Sequence, residues 1–164
     1  MTTLTRSLAL AGLILLSAGS ATAGANVTFV HPESYTDMPF ATQDRERVLK
    51  DLTEFFDKLA AGLPAGQDLK IEVLDLDLAG RLRPNYRGNQ DVRIMRGGAD
   101  WPRIHLRYTL SAGGQVLRSG DERLSDMTYL DRPSNARDSG DTLHYEKRMI
   151  DDWFKKTISG KQPS

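Results

Sequence analysis

The stretch Leu69–Arg81, LKIEVLDLDLAGR, decides the fold. Apolar residues alternate with polar ones at Leu69, Ile71 and Val73, as a half-buried strand requires, and then the phase slips so that Leu74, Leu76 and Leu78 form the apolar set. A slip of one residue turns every later side chain over. The pattern therefore implies either a β-bulge near Val73-Leu74 or a strand whose second half is covered on both faces. Asp75 and Asp77 are the closely spaced acids within this apolar pattern. With a bulge they leave the core on one face, their Cα atoms about 6.5–7 Å apart. Turned inward, they need arginine partners, with Arg81 nearest in sequence and Arg93 and Arg107 arriving from neighbouring strands. The expected outcome is asymmetric: Asp77, beside the Gly80 turn, is the paired structural acid and Asp75 the more exposed one.

Downstream, Arg81 to Gln90 reads as a polar loop containing Pro84 and Gly88, and Asp91 to Met95 as a short extra strand. From Trp101 to Leu110, Ile104, Leu106, Tyr108 and Leu110 face one way and Arg103, His105, Arg107 and Thr109 the other. Gly113-Gly114 is a two-residue hairpin signal that sets the register of the next strand, Gln115 to about Arg123. Ala112 is then expected opposite Gln115, Leu110 opposite Leu117, Thr109 opposite Arg118 and His105 opposite Glu122. That register puts Arg103, His105, Arg107, Arg118 and Glu122 on one polar face.

Upstream, Asn26 to Val30 is a first strand, ended by His31-Pro32 because proline has no donor for a ladder. From about Asp44 to Gly62, apolar residues at three- and four-residue steps (Val48, Leu49, Leu52, Phe55, Phe56, Leu59) make one helix face, with Thr42 or Asp44 as cap and Gly62 and Pro64 as stop. A second amphipathic helix runs from Thr142 to Ile158 behind Ser139-Gly140-Asp141, with Leu143, Met149, Ile150, Trp153, Phe154 and Ile158 on its broad face. The fold class that follows is α+β: a two-layer sandwich, β-α-β-(β)-β-β-α, with a mostly antiparallel four- or five-stranded sheet and both helices on one face. The long connection between the first two strands permits a parallel crossover.

Arg6, the nine-residue apolar run Leu8–Leu16 and Ala21-Thr22-Ala23 have the order of a secretory signal peptide cleaved after Ala23. The run is far short of the roughly 20 residues of a membrane-spanning helix, so no transmembrane anchor is expected after cleavage. Residues 1–23 thus read as a signal peptide and 24–164 as one domain of 141 residues, long enough to bury a core. The expected location is the periplasm. With residues 1–23 removed, 21 basic residues face 22 acidic ones, a balance that argues against a nucleic-acid partner. The chain has no cysteine, hence neither lipobox nor disulfide framework.

No motif assembles into a catalytic, metal or cofactor site. Asp75 to Gly80 begins like a calcium loop, but Ala79 replaces the fifth-position ligand and Tyr86 stands where the bidentate glutamate belongs. His31, His105 and His144 sit on separate elements without metal-ligand spacing. Asp138-Ser139-Gly140 matches the aspartic-protease triplet by letters only, lacking the apolar strand before it. Arg103, Arg107 and Arg118, joined by Arg81 and Arg93, form a basic stripe that could meet an anion, against the ordinary alternative of a solvated sheet face.

The words FVHPESYTD (29–37), LDLDLAGR (74–81), DVRIMRGGADWPRIHLRYTL (91–110), SDMTYL (125–130) and YEKRMIDDWF (145–154) resemble the bacterial secreted family called domain of unknown function 3016. The resemblance spans nearly all of the chain after residue 23. It implies an exported protein of Gram-negative type with no assigned activity, cofactor or catalytic residue. It marks Asp37, Asp77, Gly80, Arg81, Trp101-Pro102, Asp126, Tyr129, Glu146, Trp153 and Phe154 as family-pattern positions. Two functional readings follow. One is a non-catalytic binding or envelope-accessory domain that meets an envelope protein or a small anionic ligand through Asp37, Asp75, Asp77, Arg81, Arg103, Arg107 and Asp126. The other is a hydrolase using Asp75, Asp77, Asp126 or Glu146 as acid-base groups, which requires two of them to converge in a cleft with pKa values pushed apart.

Overall fold

The computed structural model describes residues 24–39, 41–83, 92–132 and 140–160. Residues 1–23, the stretch with Pro84 and Gly88, and Asp138-Ser139 lie outside these. Four strands make the main sheet in the order β1-β2-β5-β6: β1 (Ala25–Phe29), β2 (Gln67–Asp77), β5 (Arg103–Ala112) and β6 (Gln115–Ser125). β1 runs parallel to β2 through the crossover helix α1 (Thr42–Ala60), and the other pairings are antiparallel. The second helix, α2 (His144–Trp153), continues as a π-helical turn over Phe154–Ser159. α1 begins behind Ala41, and the expected side-chain cap from Thr42 or Asp44 is not made; the Ala41 carbonyl accepts the Asp44 and Arg45 N–H groups at 3.1 and 3.0 Å.

The phase slip in β2 is a bulge. Leu69, Ile71 and Val73 pair in register with β5, the register shifts between Val73 and Asp75, and Leu76 then returns to the same buried face. Leu74 is the extra residue. The Val73 carbonyl at the kink accepts the Val30 N–H (2.9 Å) and the Tyr35 hydroxyl (2.7 Å), so the bent strand leaves no orphaned acceptor there. Burial pushes the Tyr35 hydroxyl up to about 12, which keeps it a donor.

Both helices cover the sheet face that carries these residues. Val48, Leu52 and Phe56 of α1 and Met149, Ile150 and Trp153 of α2 join Leu69, Ile71, Val73, Leu76, Ile104, Leu106 and Tyr108 in one buried cluster. Fully burying each large side chain contributes about 1.5–3 kcal/mol, so this layer is the main source of stability.

Two expectations need correction. The hairpin turns at Gly113-Gly114 and Ala112 opposes Gln115, but the register slips between Leu110 and Ser111, leaving Leu117 unpaired. Leu110 therefore faces Arg118, and His105 faces Arg123. Arg118 and Glu122 consequently lie on the helix side: Arg118 donates to the Thr157 carbonyl, and the Glu122 carboxylate accepts the Trp153 indole N–H at 2.9 Å. Gly120 between them sits against the Tyr108 ring, where a Cβ would come within 2.7 Å. The second correction concerns the polar segment after β2. Its first residues form a strand, β3 (Arg81–Arg83), which pairs with β4 (Val92–Ile94) in a separate two-stranded ribbon, so the extra strand does not extend the main sheet.

Candidate functional site

The ribbon grows from the end of β2 through the buried turn Leu78-Ala79-Gly80. Gly80 adopts φ +76°, and a Cβ there would stand 2.7 Å from the Ile94 carbonyl oxygen, so close approach and a left-handed backbone both demand glycine. Opposed residues of an antiparallel pair share a face. Arg81 opposes Ile94 and Arg83 opposes Val92, all exposed, while Leu82 and Arg93 share the half-buried inner face.

On the outer side, Arg81, Arg83 and Ile94 meet Arg96 and Asp100 around a cleft of about 170 Å³. Among the described residues none of these three guanidinium groups has a carboxylate partner, although fourteen ion pairs form elsewhere. The far wall is tied down. Asp100 accepts the Arg96 N–H (2.8 Å) and the Tyr129 hydroxyl (3.0 Å), and its carbonyl accepts the Gly80 N–H (2.8 Å). Desolvation acts upward on the Asp100 carboxyl, but these donors outweigh it and hold the group below its ordinary value. Burial, reinforced by the carboxylate it faces, pushes the Tyr129 hydroxyl up to about 12.

On the inner side, Arg93 reaches Glu146, which is fully buried. Glu146 Oε1 accepts the Ala79 N–H at 2.7 Å and Arg93 Nη1 at 3.3 Å, while Oε2 has no partner among the described residues. Burial pushes the Glu146 carboxyl up against the opposing pull of Arg93 and the Ala79 N–H. The sequence held a signal for this burial, because Glu146 stands three residues after Leu143 and four before Ile150 on the apolar stripe of α2.

The residues singled out from sequence divide into three groups. Asp37, Asp75, Asp77, Arg103 and Arg107 belong to the open sheet face or its rim. Arg103 pairs with Asp77 at 3.0 Å and lies over the Trp101 ring at 4.6 Å. Arg107 bridges Glu72 (3.3 Å) and Asp121 (3.2 Å), and Asp121 also meets His105 at 2.6 Å. Within the basic stripe Arg103 and Arg107 are thus neutralised by their own neighbours, Arg93 turns to Glu146, Arg118 donates to a carbonyl and Arg81 lies apart in the cleft; the partner of His105 is Asp121 because the hairpin register slips. Asp75 is exposed and accepts its neighbour's N–H, from Leu76, at 2.9 Å. Burial pushes the Asp77 carboxyl up, Arg103 opposes this, and Asp37 and Asp75 add to it. Asp37 itself is exposed, with φ +52°. Asp126 forms the second group. It accepts the Thr128 N–H and hydroxyl, each at 3.1 Å, and meets Arg148 at 3.4 Å, the work of a turn-fixing acid. Arg81 alone enters the cleft, where sequence reasoning missed Arg83, Arg96 and Asp100.

A second, wider depression of about 470 Å³ lies beside β1, lined by Asn26, Asp68, Lys70, Thr109 and Ser111. Its one cation, Lys70, is already held by Glu72 at 2.9 Å. Among the described residues no group of three or more His, Asp or Glu side chains could hold a metal ion, and no helix is long and apolar enough to cross a membrane.

Comparison with curated proteins and with solved structures finds no match. The model of one protein family matches residues 23–156, and the chain therefore belongs to the family described as Protein of unknown function (DUF3016).

Proposed function

We propose that this protein is exported to the periplasm, with residues 1–23 removed, and serves there as a non-catalytic accessory domain that binds a small anion in the cleft of Arg81, Arg83 and Arg96. One observation carries the binding reading: three exposed arginines line one concave surface, and none has a carboxylate partner among the described residues. Self-repulsion of such a cluster is relieved when an anion enters, and the planar guanidinium fork matches carboxylate and phosphate oxygens. The export reading rests on Arg6, Leu8–Leu16 and Ala21-Thr22-Ala23.

The acids required for hydrolysis favour the binding reading by their positions. Asp75, Asp77, Asp126 and Glu146 line neither depression, and Asp77, Asp126 and Glu146 are each held by a different arginine. Thermal unfolding in rising inorganic phosphate tests the site. A higher midpoint that vanishes on Arg83→Ala or Arg96→Ala is expected. An equal rise in the variants would reduce the effect to general salt stabilisation. Intact-mass measurement on the periplasmic fraction tests export, with a chain starting at Gly24 expected and a full-length cytoplasmic product overturning it.

A further inference from the structure

Resting on the anion-binding reading, we propose that the cleft grips a terminal phosphate monoester carried on a hydroxylated carbon frame. Three features of the cleft select this chemistry. The first is charge and stoichiometry. Arg81, Arg83 and Arg96 against Asp100 leave two net positive charges. A phosphate monoester carries about −1.5 to −2 at neutral pH and offers three acceptor oxygens, one for each guanidinium, whereas a carboxylate offers one charge and two oxygens.

The second feature is Asp100. A carboxylate on the wall of an anion site repels a bare anion unless the ligand also brings a donor. The Asp100 carboxylate accepts hydrogen bonds from Tyr129 and the Arg96 N–H, with the Gly98 and Asp100 N–H groups pulling on it more weakly, and of the four or so acceptor sites of a carboxylate this leaves room for a further strong donor. A hydroxyl next to the phosphate would use it. The third feature is size. About 170 Å³ holds some five waters, well below the roughly 300–1,000 Å³ of pockets that engulf whole ligands, so the cleft takes a headgroup and leaves the rest outside.

Such a headgroup occurs on free metabolites and on phosphorylated lipids, and calorimetry with vesicle sedimentation separates the two. Glycerol phosphate should bind the protein about tenfold or more tighter than inorganic phosphate or succinate, and glycerol alone should give no heat. Arg83→Ala and Arg96→Ala should each weaken glycerol phosphate by about tenfold. Asp100→Asn should bring glycerol phosphate and inorganic phosphate to equal affinity. Asp100 also fastens its loop, so Gly98→Val is a second probe. Gly98 lines the cleft and an added Cβ there meets nothing within 4 Å, so this variant should fold and weaken glycerol phosphate more than inorganic phosphate. Co-sedimentation with phosphatidylcholine vesicles containing phosphatidylinositol phosphate, but not with those containing phosphatidylinositol, would make the source a lipid headgroup. Binding to soluble glycerol phosphate alone would make it a free metabolite. Equal sedimentation with both vesicles overturns the monoester requirement. Succinate or inorganic phosphate binding as tightly as glycerol phosphate, and still lost in the arginine variants, overturns the ligand class while leaving an anion site. No heat with any anion overturns both.

Discussion

Arg93 and Glu146 join the ribbon to the second helix across 53 residues of sequence, through an Nη1 to Oε1 contact of 3.3 Å in which the carboxylate is fully buried. Glu146→Ala leaves a cavity, a half-buried guanidinium and the Ala79 N–H without their acceptor. The expected loss is about 3 kcal/mol, read from urea denaturation, with Glu146→Gln losing less because one acceptor oxygen remains. A midpoint unchanged by the alanine variant would show that the contact holds nothing together.

The same carboxyl has a signature in pH. Burial holds it above its ordinary 4.5, so between 4.5 and that raised value the folded protein binds more protons than the unfolded chain. Its ionisation therefore opposes folding, and this contribution to stability falls as pH rises through the window, with no penalty below 4.5 and the full penalty above. Asp100 and Asp141, held below their ordinary 3.8, act in the opposite sense and lose stability in acid. Subtracting the stability of the native protein from that of Glu146→Gln should isolate the first effect: the difference rises with pH above 4.5 and then levels. A difference flat from acid to neutral pH would falsify the assignment.

Asp77 and Asp75 part company as the strand pattern suggests, but the pairing of Asp77 is weaker than a buried ion pair. Arg103 is 44% exposed, and burial outweighs its pull on the Asp77 carboxyl. Asp77→Asn should therefore change stability by under about 1 kcal/mol at neutral pH, and Asp75→Asn by no more. A loss at Asp77 several times larger would mean that Arg103 dominates after all.

Trp153 packs edge-on against Tyr108 at 5.4 Å and is 5% exposed. Trp153→Ala should lower stability by about 3–5 kcal/mol. Trp153→Phe keeps most of the packing and removes the N–H that Glu122 accepts, so about 1.5–3 kcal/mol should be lost. Equal denaturation midpoints for the phenylalanine variant and the native protein would leave that hydrogen bond without weight.

What was legible in sequence was whatever repeats with a short period. The helix faces and the glycine turn follow from spacing alone, and so does the phase slip near Leu74, although the choice between a bulge and a strand covered on both faces needed the pairing with β5. What was not legible required knowing which element lies beside which. Arg81 is the arginine nearest Asp77 in sequence, yet the Gly80 turn carries it to the ribbon and β5 supplies Arg103 instead. The ribbon inverts the usual pattern, exposing Val92 and Ile94 and turning Arg93 inward, because Glu146 waits there. Leu117, the extra residue in β6, changed every pairing beyond it, and nothing in its chemistry announces a bulge.

The two edges of the main sheet differ in the length of chain that must close before they form. β6 meets β5 across the Gly113-Gly114 turn, whereas Ala25 must find Leu69 with all of α1 between them. Loop-closure entropy makes the first pairing local and the second remote. The sheet is therefore expected to assemble from its β5–β6 side, with β1 docking last, once α1 has somewhere to rest. Pulse-labelled amide exchange during refolding should protect Tyr108 and Leu110 before Thr28, whose N–H lies on the β2 side of β1 in the same alternation as that of Val30. Protection of β1 ahead of the hairpin would mean that the helix, and not the turn, organises the earliest contacts.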